Sequence, residues 1–226
     1  MDISKVEWHK IILLLSSFWL YDCSQKQQLI HALPSDYTGV AFNNKIDIDS
    51  NFSIIDYMYF FNGAGTGLGD FNNDGLEDLF FAGNKVSNTL YQNMGNLKFQ
   101  DVTEKAGLSS NVWCTGVLVE DFNQDGWLDL YVSVAGEKKS FKRKNLLYIN
   151  DKDMTFTESA TDYGLDFTDY STHAAVLDYD LDGDLDMYLL NHSNQFKNVN
   201  DPIVRKFDGS AANMDRLLRC DWFDSL

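Results

Sequence analysis

A nine-residue acidic pattern, Asp-x-Asn/Asp-x-Asp-Gly-x-x-Asp, occurs three times in this chain of 226 residues, starting at Asp70, Asp121 and Asp178. Successive copies lie 51 and 57 residues apart (121 − 70 and 178 − 121). A motif returning at that interval restricts the chain to folds that stack equivalent units. Each copy sits in a longer shared frame: GTGLGDFNNDGLEDLFFAG from Gly65, TGVLVEDFNQDGWLDLYVSVAG from Thr115 and HAAVLDYDLDGDLDMYLLN from His173. The first frame is followed by NTLYQN (from Asn88) and KFQDVTEKAGL, ending at Leu108. The second is followed by NLLYIN (from Asn145) and TFTESATDYGL, ending at Leu165. Phe99 and Phe156 fall at the same offset after the last Asn of each block.

Each unit therefore holds four short apolar runs bounded by Gly, Asn and Asp, which is a strand signature. One run precedes the acidic loop, one follows it, and the Leu-Tyr and Phe-led segments complete the set. Glycine interrupts nearly every window of helical length, which disfavours helices. Four antiparallel strands in about 50 residues make a propeller blade. The expected fold is all-β, with about three four-stranded β-propeller blades forming an incomplete ring, since closed rings take roughly 4–8 blades. The third unit reads as unfinished. Its Leu-Tyr segment is expected at Asp215 to Cys220, with Cys220 at an Asn position, after a long insertion over 187–214. On this reading the chain is the N-terminal part of something longer.

Within the acidic loops the side chains at positions 1, 3 and 5 can converge as the backbone curls. Glycine at position 6 (Gly75, Gly126, Gly183) permits the sharp turn. Position 7 would lend a carbonyl and the last Asp would close the shell. The candidate metal ligands are thus Asp70, Asn72, Asp74, Leu76 and Asp78; Asp121, Asn123, Asp125, Trp127 and Asp129; and Asp178, Asp180, Asp182, Asp184 and Asp186. An oxygen-only set suits Ca²⁺, whereas Mg²⁺ demands tighter octahedral geometry and transition metals want His or Cys. An EF-hand would need Glu at position 12 and flanking helices. Position 12 is Phe81, Val132 or Leu189, each within a strand-like run.

The N-terminus has the form of an export signal. Lys5, His9 and Lys10 precede an apolar stretch over 11–21, too short to cross a bilayer as a helix but suited to a signal core. Cys23 follows, as in a bacterial lipoprotein signal where the cysteine is lipidated. The expected division is a signal over 1–22, a lead-in over 23–60 and repeats over 61–226. Cys114 lies in an apolar run and is expected as a buried thiol; pairing with Cys220 stays open. No Cys/His pattern supports zinc. The net charge of −16 disfavours nucleic acid as a partner.

The acidic loops, the Leu-Tyr-x-Asn blocks, the Phe-x-Asp-Val-Thr-Glu-x-Ala-Gly-Leu block and Asn62-Gly-Ala-Gly together resemble FG-GAP or VCBS-type repeats of integrin-like β-propellers. They are most similar to the bacterial branch related to cartilage acidic protein and ASPIC/UnbV-containing proteins. The resemblance covers roughly residues 37 to 226. It implies a propeller, Ca²⁺ in the blade loops, and an exported or surface location; with the N-terminal signal, the expected place is an outer-membrane lipoprotein, or the cell surface or periplasm of a Gram-negative bacterium. It implies no single activity.

The leading expectation is a non-catalytic, Ca²⁺-stabilised scaffold for adhesion or for binding an extracellular protein or polysaccharide, touching the membrane only through a lipid anchor. The alternative is a Ca²⁺-dependent enzyme acting on polysaccharide, and a third reading is a truncated product without activity. Against the enzyme, nearly every clustered carboxylate is assigned to a cation loop, and His173 and His192 fit packed or hydrogen-bonded roles better than catalytic ones. Trp113 and Trp127 fit core packing better than a sugar platform, which Trp222 could join.

Overall fold

The computed structural model describes residues 30–48, 53–55, 57, 59–135, 144–182 and 185–192, and the backbone of strands at 204–207 and 217–221. The chain divides into two compact units, Met1–Pro34 and Ser35–Leu226. The first is described only over 30–34, so the expected signal and Cys23 lie outside the described residues, as do Gly183, Asp184 and Trp222. Among the described residues, no helix is long and apolar enough to cross a membrane.

The second unit is built from three four-stranded sheets. The first contains β1 (Thr66–Gly69), β2 (Asp78–Phe81), β3 (Thr89–Asn93) and β4 (Phe99–Asp101). The second contains β5 (Cys114–Glu120), β6 (Asp129–Val134), β7 (Leu146–Asn150) and β8 (Phe156–Glu158). Both are simple antiparallel meanders in chain order, with Leu79 opposite Tyr91 in one and Leu130 opposite Tyr148 in the other. Each acidic loop is the hairpin connecting the first two strands, as the spacing predicts. Phe81 and Val132 lie in β2 and β6, so these loops are not EF-hands. Two short helices, α1 (Ser35–Thr38) and α2 (Thr103–Ala106), lie in the lead-in and after β4.

The sheets stack face to face. In β2 only alternate residues are buried, whereas all of β6 is. The reason is position. Leu130 and Val132 of β6 join Phe80, Leu90 and Phe156 in one core between the first and second sheets. Tyr131, from the opposite face, joins Leu147, Met187 and Leu189 in another between the second and third. A middle sheet covered on both faces needs continuous apolar strands rather than alternating ones. Burying each large apolar side chain contributes about 1.5–3 kcal/mol. The thiol of Cys114 lies wholly within the first core, unpaired, and burial pushes its pKa up to about 12. Trp113 is buried as expected, but Trp127 is only half-buried, because its place in the second acidic loop leaves one side to solvent.

The third sheet departs from the repeat. It begins with β9 (Ser171–Leu177) and β10 (Asp186–Asn191), paired like their counterparts, and Leu189 lies in β10. Its order then runs to β12 (Leu217–Asp221), with β11 (Val204–Phe207) outside. The segment expected as the third antiparallel strand is β12, and it pairs with β10 in parallel, Met187 opposite Leu217. A parallel pairing needs a crossover of a dozen or more residues, and the long insertion before β12 supplies it.

The lead-in is ordered against the first sheet. The Phe42 ring stacks on Phe81 at 5.0 Å, and the Ala41 N–H donates to the Tyr91 hydroxyl at 3.1 Å.

Close approach of the first strands depends on glycine. A Cβ on Gly116 of β5 would lie 2.4 Å from the Thr172 carbonyl oxygen of β9, a contact that only backbone movement could relieve. Gly116→Ala should therefore destabilise the fold by about 1–3 kcal/mol, as overpacking does. Urea titration checks this; an unchanged midpoint would mean that the two strands are not held at this distance.

Candidate metal centre

The acidic loops owe their shape to two features. One is left-handed backbone at position 4, where φ is 56° at Asn73, 56° at Gln124 and 63° at Leu181. The other is glycine at position 6, with φ of 86° at both Gly75 and Gly126. Positive φ at position 4 is uncommon outside glycine and costs Leu181 most, since Asn tolerates it better. Spacing alone predicts the glycine but not position 4.

Reversed in this way, the loop turns its N–H groups inward. Asp70 Oδ1 accepts from the Asp74 N–H at 3.0 Å and Oδ2 from the Gly75 N–H at 2.7 Å. Asp121 takes the same two bonds, from Asp125 at 3.0 Å and Gly126 at 2.7 Å. Asn72 and Asn123 accept from the position-5 N–H, both at 3.1 Å. Asp74 and Asp125 accept from the N–H of Leu76 (2.9 Å) and Trp127 (3.0 Å), so what the structure records for position 7 is its donor. In the third loop Asp178 Oδ1 accepts from the Asp182 N–H at 3.1 Å.

The last Asp has a second task that spacing does not reveal. Asp78 is fully buried. Its Oδ2 accepts from the Phe71 N–H at 3.2 Å and its Oδ1 from the Asn93 N–H at 2.7 Å. Asp129 repeats this with Phe122 (2.9 Å) and Asn150 (2.8 Å). The carboxylate thus ties its loop to the end of the third strand. The recurring Asn of the Leu-Tyr blocks was the available signal. The Asn93 amide also donates to the Glu77 carbonyl and that of Asn150 to the Leu128 carbonyl. In the third loop Asp186 Oδ2 accepts from the Tyr179 N–H at 2.8 Å, but buried Oδ1 has no hydrogen-bond donor among the described residues. Among the described residues the strand beside β10 is β12, which runs parallel to it rather than antiparallel as β3 and β7 run to β2 and β6.

Three carboxylates converge in this third loop. Oxygens of Asp178, Asp180 and Asp186 lie within 4.8 Å of one another. These are positions 1, 3 and 9. The same positions in the other loops are Asp70, Asn72 and Asp78, and Asp121, Asn123 and Asp129, with an amide oxygen at position 3. Ligands each about 2.4 Å from one ion sit at most about 4.8 Å apart, so the group fits a common Ca²⁺. Asp182 is not in the converging group, and Asp184 lies outside the described residues. The second loop has a cation of its own nearby: Lys152 Nζ is 3.2 Å from Asp125, an exposed pair worth about 0–1 kcal/mol.

Burial pushes the Asp78 carboxyl up to about 6; the N–H donors of Asn93 and Phe71 pull against this, and the charges of Asp74 and Asp70 add to it. Asp129 is likewise raised to about 6, chiefly by burial. A carboxyl whose folded pKa exceeds its unfolded value takes up a proton on folding between the two, so the stability it contributes grows as pH falls through the folded value. In chelator, the urea midpoint should rise from about pH 7 to pH 5, and an Asp78→Asn/Asp129→Asn variant should show a flatter profile. A midpoint that falls over this range in the parent would contradict the burial of these charges.

Against known families, residues 70–132 match the model for an FG-GAP-like repeat. The match opens at the first acidic loop, after β1, and runs through the second loop to end within β6, so it takes in both loops, β2 to β5 and the blocks between them. A comparison with curated proteins finds no match. The all-β stack of four-stranded sheets and this repeat agree on a β-propeller-like fold.

Proposed function

We propose that the chain is a Ca²⁺-stabilised scaffold, exported and non-catalytic, of the bacterial branch that its sequence resembles. The observation that carries the metal is the third loop: Asp178, Asp180 and Asp186 share a space of the right size, and the buried Oδ1 of Asp186 lacks a donor there. Like charges in such a group repel one another without a cation, and the buried Asp186 Oδ1 is costly to leave without a donor. In the first two loops the same positions are oriented by backbone N–H groups, which leaves lone pairs for an ion. Ca²⁺ would supply positive charge and a shared centre; Asp70, Asp121 and Asp178 would hold it from the loop start, and the buried ninth residue would connect it to the sheet.

Polysaccharide chemistry would need an acid–base pair facing a cleft. The buried carboxylates Asp78, Asp129 and Asp186 are instead each engaged by loop N–H groups, which favours the scaffold over the enzyme.

The metal reading is tested by thermal melting in Ca²⁺, in equimolar Mg²⁺ and in chelator. At ten times Kd each independent site contributes about 1.4 kcal/mol, or about 4 kcal/mol for three. Asp180→Ala, an exposed position, should remove about a third of that gain. Curves that coincide in Ca²⁺ and chelator would reject the reading. The export reading is separate: Cys23→Ser should move the protein out of the membrane fraction, and unchanged membrane association would reject lipidation.

A further inference from the structure

A cavity of about 310 Å³ opens where the first strands of the three sheets begin. Gly65, Gly116 and Thr172 line it, together with Tyr57, Tyr59 and His192. Asn62, Gly63 and the exposed His173 stand at its rim. The acidic loops follow the other ends of β1, β5 and β9. From Thr115 to Asp121 the strand covers about 20 Å, so the cavity and the loops occupy opposite ends of the sheets.

The walls are held in place. Tyr57 is buried, with its ring edge-on to Trp113 at 5.8 Å and stacked on Tyr170 at 6.4 Å. Its hydroxyl lies 2.9 Å from His192 Nε2, and the imidazole sits 4.1 Å from the Tyr59 ring. The Asn84 amide donates to the carbonyls of Gly63 (3.1 Å) and Cys114 (2.7 Å), fixing the rim to the start of β5. Gly63 has φ of 80°, and a Cβ there would meet nothing within 4 Å, so the opening is bare backbone.

The chemistry of the lining is selective. Among the described residues that line it there is no carboxylate, ammonium or guanidinium group, although the chain carries 34 acidic and 18 basic side chains. Among these described residues an anionic or cationic ligand finds no carboxylate, ammonium or guanidinium counter-charge. What the cavity offers is the half-buried Tyr59 ring beside hydroxyl, amide, imidazole and backbone groups. Rings with a polar edge, fixed in advance, bind at low entropic cost a molecule that is apolar on one face and hydroxylated at its edge. The volume is at the low end of ligand clefts, roughly 300–1,000 Å³.

We propose that this cavity binds a neutral saccharide, the terminal one or two rings of a glycan. The proposal narrows the binding-scaffold reading to one cavity and one ligand class, and its test does not pass through the metal. The full chain, in Ca²⁺, is titrated with cellobiose, maltose and lactose, and with glucuronic acid and glucosamine as charged counterparts, by saturation-transfer NMR. At least one neutral disaccharide should bind saturably and more tightly than either charged sugar. Tyr59→Ala should weaken it about tenfold, as loss of one ring contact implies. Asn62→Ala, at an exposed rim position, should weaken it while leaving the melting curve unchanged. The proposal is overturned if no neutral sugar binds, if a charged sugar binds better, or if Asn62→Ala and Tyr59→Ala both bind as the parent does. Any of these results leaves Ca²⁺-dependent melting to stand or fall by itself.

Discussion

One buried carboxylate per sheet, Asp78 or Asp129, fixes the relation between the acidic loop and the strands around it. Each accepts one N–H from the loop and one from the end of the third strand. A buried carboxylate without such donors would cost several kcal/mol, so loop, hairpin and third strand are bound to form together. Other contacts are organised around the same point. Phe71, next to the first loop's opening Asp, enters the core between sheets and meets Phe156 edge-on at 5.8 Å. Asn150 of the second sheet donates to the Phe71 carbonyl at 2.8 Å, and Asn73 reaches the Gly126 carbonyl at 3.2 Å. The loops thus take part in joining one sheet to the next.

The third sheet shows what happens when one part of this arrangement changes. With β12 running parallel to β10, no Asn N–H meets Asp186 Oδ1 among the described residues. Tyr179, at the position of Phe71 and Phe122, is 61% exposed, whereas those two are 0% and 2% exposed. The aromatic residue is buried only where a following sheet covers it, so its exposure measures the stacking rather than the loop.

Most of the fold was legible because the loop motif and the Asn-flanked blocks recur at matching offsets, and recurrence separates signal from local accident. Four strands in each of the first two units, loops as hairpins, and Phe81, Val132 and Leu189 in strands all followed from it, whereas β11 of the third sheet falls within the expected insertion. The direction of β12 was not legible, since Leu-Leu-Arg-Cys reads alike in either direction. Nor was the half-exposure of Trp127, which is set by where the loop faces. The candidate ligand positions could be written down as a list of oxygens, but the separate hydrogen-bonding roles of positions 5 and 9 needed the backbone. The cavity could not be read at all. Tyr57 and His192, its bonded pair, are 135 residues apart and lie outside the repeated motifs.

If the loops are cation sites, their oxygens are preset by the backbone, and the ninth-position carboxylate carries the ion's effect into the sheet. Native mass spectrometry of the full chain, sprayed from buffer containing Ca²⁺, counts the ions directly. The folded charge-state envelope should carry three Ca²⁺, and two in Asp180→Ala. A folded envelope that carries no Ca²⁺ at millimolar supply would contradict the proposed role of the loops.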